Sequence, residues 1–508
     1  MKNSSKIYVL TLLLSSVAFW GCKKGTFDIN SVNPNSPSDV SPKFILAGAL
    51  AGSASNVRGG NADFAELYMG YWAVSGDYIP VTSTLTYQTT TSYYSDNWDG
   101  GYLLLKNYRQ MEQQASSDPN LVYYVAIGKI MEAFHFERLV DMYNNIPYTD
   151  ALSGGTVNYP KYDNGIDVYK GLLGKLDTAV QLINTAPASA SLPGSSDIMF
   201  GKNGNEMQLW VQFANTIKLR ALMNLTQYQG GTAIITSELN GLTSDSFLGP
   251  GQDAGINPGY SSASNSQQSP FYQDMGFQIN GSPSGNESYY RACSYAVDYM
   301  YNTNDTLRLY QIYAPASATG VVKGRPFGSE TSLNQNNVNI SGMGPGLLKS
   351  PKDDAVIFAA TESLFLQAEA AQRGFLPGGP AAAASLYKMA VEESFRFLQV
   401  PDYQNAADDF ISKSTDPNVN ISISGNALQT IITQEWVALN GLDPVQTWNN
   451  WKRLGIPADL PISKFGGTTA PHVPYRLLYS QTEYQYNSAN VAAQGAINNI
   501  TSKIFWMP

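Results

Sequence analysis

Apolar residues recur along much of the chain with a helical period. Ile127, Ile130, Met131 and Phe134 fall at positions i, i+3, i+4 and i+7, and Trp210, Phe213, Ala214, Ile217 and Ala221 repeat the stripe. Ile357, Thr361, Leu364, Ala368 and Ala371 continue it in a third predicted helix, with Gly374 as its stop signal. Gly378, Gly379 and Pro380 then punctuate the chain before an alanine-rich helix over 381–399, so these two helices form a helix-turn-helix pair. Further helices are expected over 42–57, 61–75, 96–115, 165–184, 287–302 and 425–441. Paired amphipathic helices of this length predict a mostly α fold in which the pairs stack as an α-solenoid, although no strict sequence repeat is present.

Two stretches break the helical pattern. Residues 76–95 set Tyr78, Tyr87, Tyr93 and Tyr94 among nine Thr and Ser residues, and 228–286 are rich in Gly, Ser, Asn and Gln with Tyr260, Phe271, Tyr272 and Phe277 between them. Loops this long inside a compact protein are functional or disordered, and their rings argue for function. The amino terminus breaks the pattern differently. Lys2 and Lys6 precede an apolar run from Ile7 to Leu14, too short to span a bilayer, which predicts an export signal over 1–21. It ends in Phe19-Trp20-Gly21-Cys22, which resembles a bacterial lipobox, so Cys22 is expected to carry lipid and anchor the chain to a membrane. Residues 22–41 then read as the lipidated cysteine and a flexible tether, and 42–508 as a single helical domain. With Cys22 lipidated, Cys293 has no disulfide partner and reads as a small core residue.

Composition narrows the chemistry. Charged residues make up 14% and aromatics 12%, and the net charge of −9 argues against nucleic-acid binding, which needs Lys and Arg to replace counterions. Two His residues leave no room for a multi-His metal centre, and no cofactor motif is present, so neither metal nor cofactor is expected. Glycoside hydrolysis needs two carboxylates across the scissile bond. The doublets Asp353-Asp354, Glu392-Glu393 and Asp408-Asp409 fall on predicted helices or at their ends, where neighbours point to different faces, and read as solvated or capping charges. Gly281-Ser282-Pro283-Ser284-Gly285 puts Pro where a nucleophile elbow needs Ser. A binding protein rather than an enzyme is expected.

The binding residues follow from the loops. Aromatic planes offer a ligand packing surfaces, and the amides, carboxylates and hydroxyls around them offer hydrogen-bond partners. The candidates are Tyr87, Tyr93, Tyr94, Asn97, Trp98 and Asp99 in and beside the first irregular stretch, Tyr260 and Tyr272 in the second, and Tyr289 and Tyr290 just beyond it. The low net charge suits a neutral ligand, and no Lys/Arg cluster stands out in the loops.

Several ordered segments carry a family resemblance. They include Leu139-Val140-Asp141-Met142-Tyr143 followed by Ile146-Pro147-Tyr148 and Ala151-Leu152, with Asn144-Asn145 at a pair that is usually Gly-Asp-like. Trp210-x-x-Phe213-Ala214-Asn215-x-x-Lys218-Leu219-Arg220, Thr361-Glu362-x-x-Phe365-Leu366-x-Ala368-Glu369-Ala370, Gln434-x-Trp436-x-Ala438-Leu439-Asn440-Gly441 and Trp448-x-x-Trp451-x-Arg453 follow. The tail runs from Arg476-Leu477-Leu478-Tyr479 to Phe505-Trp506, with Ser480 in place of Pro and Phe505 in place of Trp. Together these resemble the SusD/RagB family, the SusD-like outer-membrane lipoproteins of Bacteroidota. The resemblance implies tetratricopeptide-like helix pairs with irregular segments packed on one side. It implies a cell-surface lipoprotein that captures oligosaccharides and acts as the lid of a SusC-like TonB-dependent transporter. A peptide-binding RagB-like protein, a helical-repeat scaffold and, last, a glycoside hydrolase are the alternatives. The resemblance also makes Arg138, Asp141, Lys218, Arg220, Glu362 and Glu369 inter-helix ion-pair residues and Trp210, Phe213, Phe365 and Trp436 core anchors, and both His135 and His472 read as structural.

Overall fold

A computed structural model describes residues 40–508 except 80, 154–155, 330–332 and 467, so the expected signal, Cys22 and nearly all of the tether lie outside the described residues. Ten helices of eleven or more residues organise what is described: α1 (Pro42–Arg58), α2 (Asp96–Ala115), α3 (Val122–Tyr143), α4 (Gly165–Asn184), α5 (Glu206–Asn224), α6 (Ala360–Gln372), α7 (Gly379–Phe397), α8 (Tyr403–Lys413), α9 (Ala427–Ala438) and α10 (Pro444–Leu454). Each of α1 to α7 packs on the next along the chain, and α9 returns onto α6, which is the stacked arrangement of helix pairs that the periodicity predicts. The start of α7 has Pro380 in its first turn behind Gly378 at φ +93°, and α10 starts where the Asp443 carboxylate accepts the amides of Val445 and Gln446.

Buried positions run almost all the way around α3, α5, α6, α9 and α10, so their charges must be answered inside the core. Arg220 donates to Glu137 at 2.7 Å and Glu362 at 3.1 Å, Arg138 pairs with Asp443 at 3.2 Å, and Arg453 holds Glu369. Lys218 joins Asp177 and Glu238. Asp141 receives donors from four distant segments: Tyr169, Asn224 at 3.1 Å, Asn449 at 2.9 Å and Trp506 at 3.1 Å. His135 meets Ser53 at 2.8 Å, and burial, with the Arg138 charge, pushes its pKa down to about 3, so it is neutral. His472 stacks on Tyr475, and its Nδ1 lies 2.7 Å from the Val473 carbonyl. Cys293 is free and buried, and burial lifts its thiol to about 11.

Three antiparallel strand pairs stitch the irregular segments: β1 (Trp72–Val74) with β5 (Tyr290–Ala292), β2 (Ile146–Pro147) with β3 (Tyr162–Asp163), and β4 (Ala254–Ile256) with β6 (Ala355–Phe358). These pairs correct several helix expectations. The helix expected over 61–75 is only Asp63–Tyr68, because Gly70 turns the chain at φ +71° and sits so close to Tyr295 that a Cβ would lie 2.7 Å from its ring; β1 follows. The helix expected over 287–302 divides into a turn at Gly285–Tyr289, β5, and a helix at Ser294–Asn302, since β5 is the partner of β1. Ile357 belongs to β6 rather than to α6. Among the acidic doublets, Asp353-Asp354 lie in the turn before β6, and Glu393 is buried against Arg396 rather than solvated.

Candidate functional site

The register of β1 with β5 positions the site. Val74 pairs with Tyr290, which buries the Tyr290 ring against Trp72 at 5.4 Å and leaves Tyr289 on the outer side. Beyond β1, Ser75 donates to the Tyr289 carbonyl at 2.8 Å, Gly76 to Gln335 at 2.8 Å, and the Asp77 carboxylate accepts the Asn337 amide at 2.8 Å. Three segments distant in sequence are thereby drawn to one surface. There Tyr78, 36% exposed, meets Tyr289 edge-on at 5.4 Å, and the Tyr289 hydroxyl accepts the Val81 amide at 3.3 Å. Ile79, Val81 and Val338 are exposed around these rings. A ring and aliphatic patch set in amides, hydroxyls and one carboxylate is the composition expected of a ligand surface.

Tyr93 and Tyr94 flank this pair, half-buried, with their rings 4.7 Å apart and Tyr94 5.1 Å from Phe64. Tyr94 holds φ at +50°, a left-handed conformation rare for a bulky side chain and typical of functional loops. Asn97 secures that turn: its amide donates to the Tyr94 carbonyl at 3.2 Å and to Asn61 at 2.8 Å. Burial lifts the Tyr93 hydroxyl to about 12 and also raises Tyr289, so both are neutral donors and acceptors at physiological pH. Beneath them Asp63 is pushed well above the usual carboxylate range by burial and by the facing Asp274.

The sequence-derived residues therefore separate. Tyr289 stands on the ring face; Tyr93 and Tyr94, half-buried, pack on each other and on Phe64, with the Tyr93 hydroxyl turned inward, and Tyr290 and Asn97 are buried. Tyr87 is buried, its hydroxyl accepting the Ser463 amide at 3.0 Å, and so it fastens the loop from below instead of facing solvent. Trp98 is a core ring, boxed by Tyr102, Tyr143, Tyr162 and Tyr479 at 4.9–6.0 Å. Asp99 accepts hydrogen bonds from Ser480 at 2.9 Å and Thr482 at 2.7 Å, tying α2 to the tail. Tyr260 and Tyr272 lie elsewhere: the Tyr260 amide donates to the Asn257 side chain, near Asp354, and Tyr272 lines a separate cavity with Arg58 and Lys349. Sequence reasoning passed over Tyr78, Asp77 and Asn337. For Tyr78 the signal was present, since it stands in the same Thr-, Ser- and Tyr-rich stretch.

Among the described residues no group of three or more His, Cys, Asp or Glu could hold a metal ion, and no helix is long and apolar enough to cross a membrane. A SusD-like family model, described as starch-binding associating with outer membrane, matches residues 34–480. No curated protein matches the sequence. Solved structures share the fold. One is a chitin-binding protein at 22% identity and a TM-score of 0.75, with 92% of this chain and 100% of that chain covered. Another is an outer membrane protein of Bacteroides vulgatus described in connection with nutrient binding, at 23% identity and a TM-score of 0.74, covering 92% and 100%. A third is a chitin-binding SusD homologue of Flavobacterium johnsoniae, at 21% identity and a TM-score of 0.71, covering 91% and 98%.

Proposed function

Because the chain belongs to the SusD-like family of outer-membrane-associated, starch-binding proteins, we propose that it is a cell-surface lipoprotein, held in the outer membrane through Cys22, that captures neutral oligosaccharides. It delivers them to a SusC-like TonB-dependent transporter, over which it acts as a lid. It binds its cargo without reacting with it. The observation that carries this reading is the ring face: Tyr78 and Tyr289 edge-on at 5.4 Å, flanked by Tyr93 and Tyr94 and bordered by the Asp77–Asn337 contact. One sugar ring would lie against the exposed tyrosine planes while its hydroxyls exchange hydrogen bonds with phenol, amide and carboxylate groups. Two of the structural neighbours are described as chitin-binding, so chitin oligosaccharides are the first ligands to try, beside starch oligosaccharides.

The test is titration calorimetry of the protein against chitin oligosaccharides, starch oligosaccharides and a peptide mixture. Tyr78→Ala and Tyr289→Ala should each weaken the bound oligosaccharide by about tenfold, the order expected when a contact ring is truncated. Unchanged affinity in both variants removes the ring face from the reading. Co-purification with a TonB-dependent barrel from outer membranes tests the lid role separately.

A further inference from the structure

We propose a second ligand site, separate from the ring face: the cavity roofed by the end of α1 and the end of α7 binds the carboxylate of an acidic sugar residue, a hexuronate, through Lys349. The cavity has a volume of about 360 Å³ and draws cations from four places in the sequence: Arg58, Lys349, Lys352 and Arg396. The expectation that the loops hold no cation cluster is thus corrected by the fold, since these residues are 291 to 338 positions apart for Arg58 and the rest (349−58 and 396−58) and converge only when α1 and α7 close on the segment before β6.

Of the wall's charges, Arg396, Asp253, Asp354 and Arg58 already have partners, and Lys352 is exposed to solvent. Arg396 donates to Glu393 and Asp253, both at 2.9 Å. Asp354 accepts the Asn257 amide at 2.8 Å. Arg58 donates to the carbonyls of Gly441, at 2.9 Å, and Leu442, with its plane 4.6 Å over the Phe271 ring. Lys349 remains: its Nζ stands 3.6 Å over the Phe397 ring and makes no ion pair or hydrogen bond with a described residue. Burial lowers its pKa, with Asp353 and Asp253 opposing that shift. A partly desolvated ammonium over a ring face, with Asp353 and Asp253 acting only from beyond ion-pair distance, has room for a counter-anion in direct contact, because the ring offsets only part of the hydration it has lost.

The remaining wall states which anion fits. Asp253, Asp353 and Asp354 line the same cavity, so a dianion such as phosphate meets repulsion that a single carboxylate tolerates. Those same carboxylates, with Ser350 and Gln399, are acceptors and donors for ring hydroxyls, and Tyr272 offers an aromatic plane. One negative charge on a hydroxyl-bearing ring answers all three features. A neutral sugar leaves Lys349 unanswered, and a simple carboxylate leaves the hydroxyl partners unused.

The experiment titrates the protein, at neutral pH and low salt, with D-glucuronate, its neutral amide, acetate and inorganic phosphate. Saturable glucuronate binding is expected, at least about tenfold tighter than the amide or acetate, and lost to about the same extent in Lys349→Met but retained in Lys349→Arg. Equal binding of glucuronate and its amide, tighter binding of phosphate, no saturable glucuronate binding in the millimolar range, or an unaffected Lys349→Met variant would each overturn the proposal. Glucuronate titration of Tyr289→Ala keeps the two sites distinguishable: persistence of binding is expected, and its loss would transfer the ligand to the ring face and refute the cavity.

Discussion

The helical interior and the ring face handle polar groups in opposite ways. In the interior Arg220, Arg453 and Asp141 have their partners supplied by other helices, and Trp98 is enclosed by four other rings. On the ring face Tyr78 and Tyr289 keep part of their surface in solvent, and the aliphatic side chains of Ile79 and Val81 stand exposed beside them. A buried group that is already answered contributes to folding and has nothing left to offer a ligand. An exposed ring contributes little to folding and has a free plane. The same residue types, Tyr and Trp with acids and amides around them, therefore serve two purposes, and burial decides which.

That division can be broken by mutation. Arg220→Met should have the largest effect, about 3–5 kcal/mol lost in urea unfolding, because it strands Glu137 and Glu362 in the core. Trp98→Ala should follow at about 3–5 kcal/mol from the cavity it leaves, and the refolded fraction should still bind glycan; weaker binding in fully folded protein would return Trp98 to the ligand surface. His135 gives a smaller effect with a defined sign. Its folded pKa of about 3 lies below its unfolded value of about 6.5, so only the unfolded chain takes up the proton between these limits, and stability falls as pH drops through that window. His135→Gln should flatten the pH dependence of the unfolding free energy there by up to about 1.4 kcal/mol per pH unit, read from urea melts. Tyr78→Ala should be the mildest for folding, within about 0.5 kcal/mol, while weakening oligosaccharide binding; a large stability loss would place it with the interior.

Two of the expected helices were legible in the sequence to the residue: 96–115 and 165–184 match α2 and α4. Misreadings occur where a partner distant in sequence overrides local preference, as at β1, whose strand character comes from β5 more than 200 residues later. The site was legible as a composition and only partly as a list. Tyr289 keeps part of its ring in solvent, yet nothing local distinguishes it from Tyr87 and Tyr290, which the strand register and Ser463 turn inward. The Lys349 cavity had no sequence signal at all, because Lys349 and Phe397 meet only through tertiary packing.

Asp141 has a consequence for how the molecule is made. Its carboxylate draws on Tyr169, Asn224, Asn449 and Trp506, so a chain that has emerged only as far as α5 carries a buried acid short of two donors. Completion waits for Trp506, near the carboxyl end. A partly synthesised chain is for that reason an incomplete fold, and a clip between α10 and Trp506 should loosen the first helix pairs as much as the last.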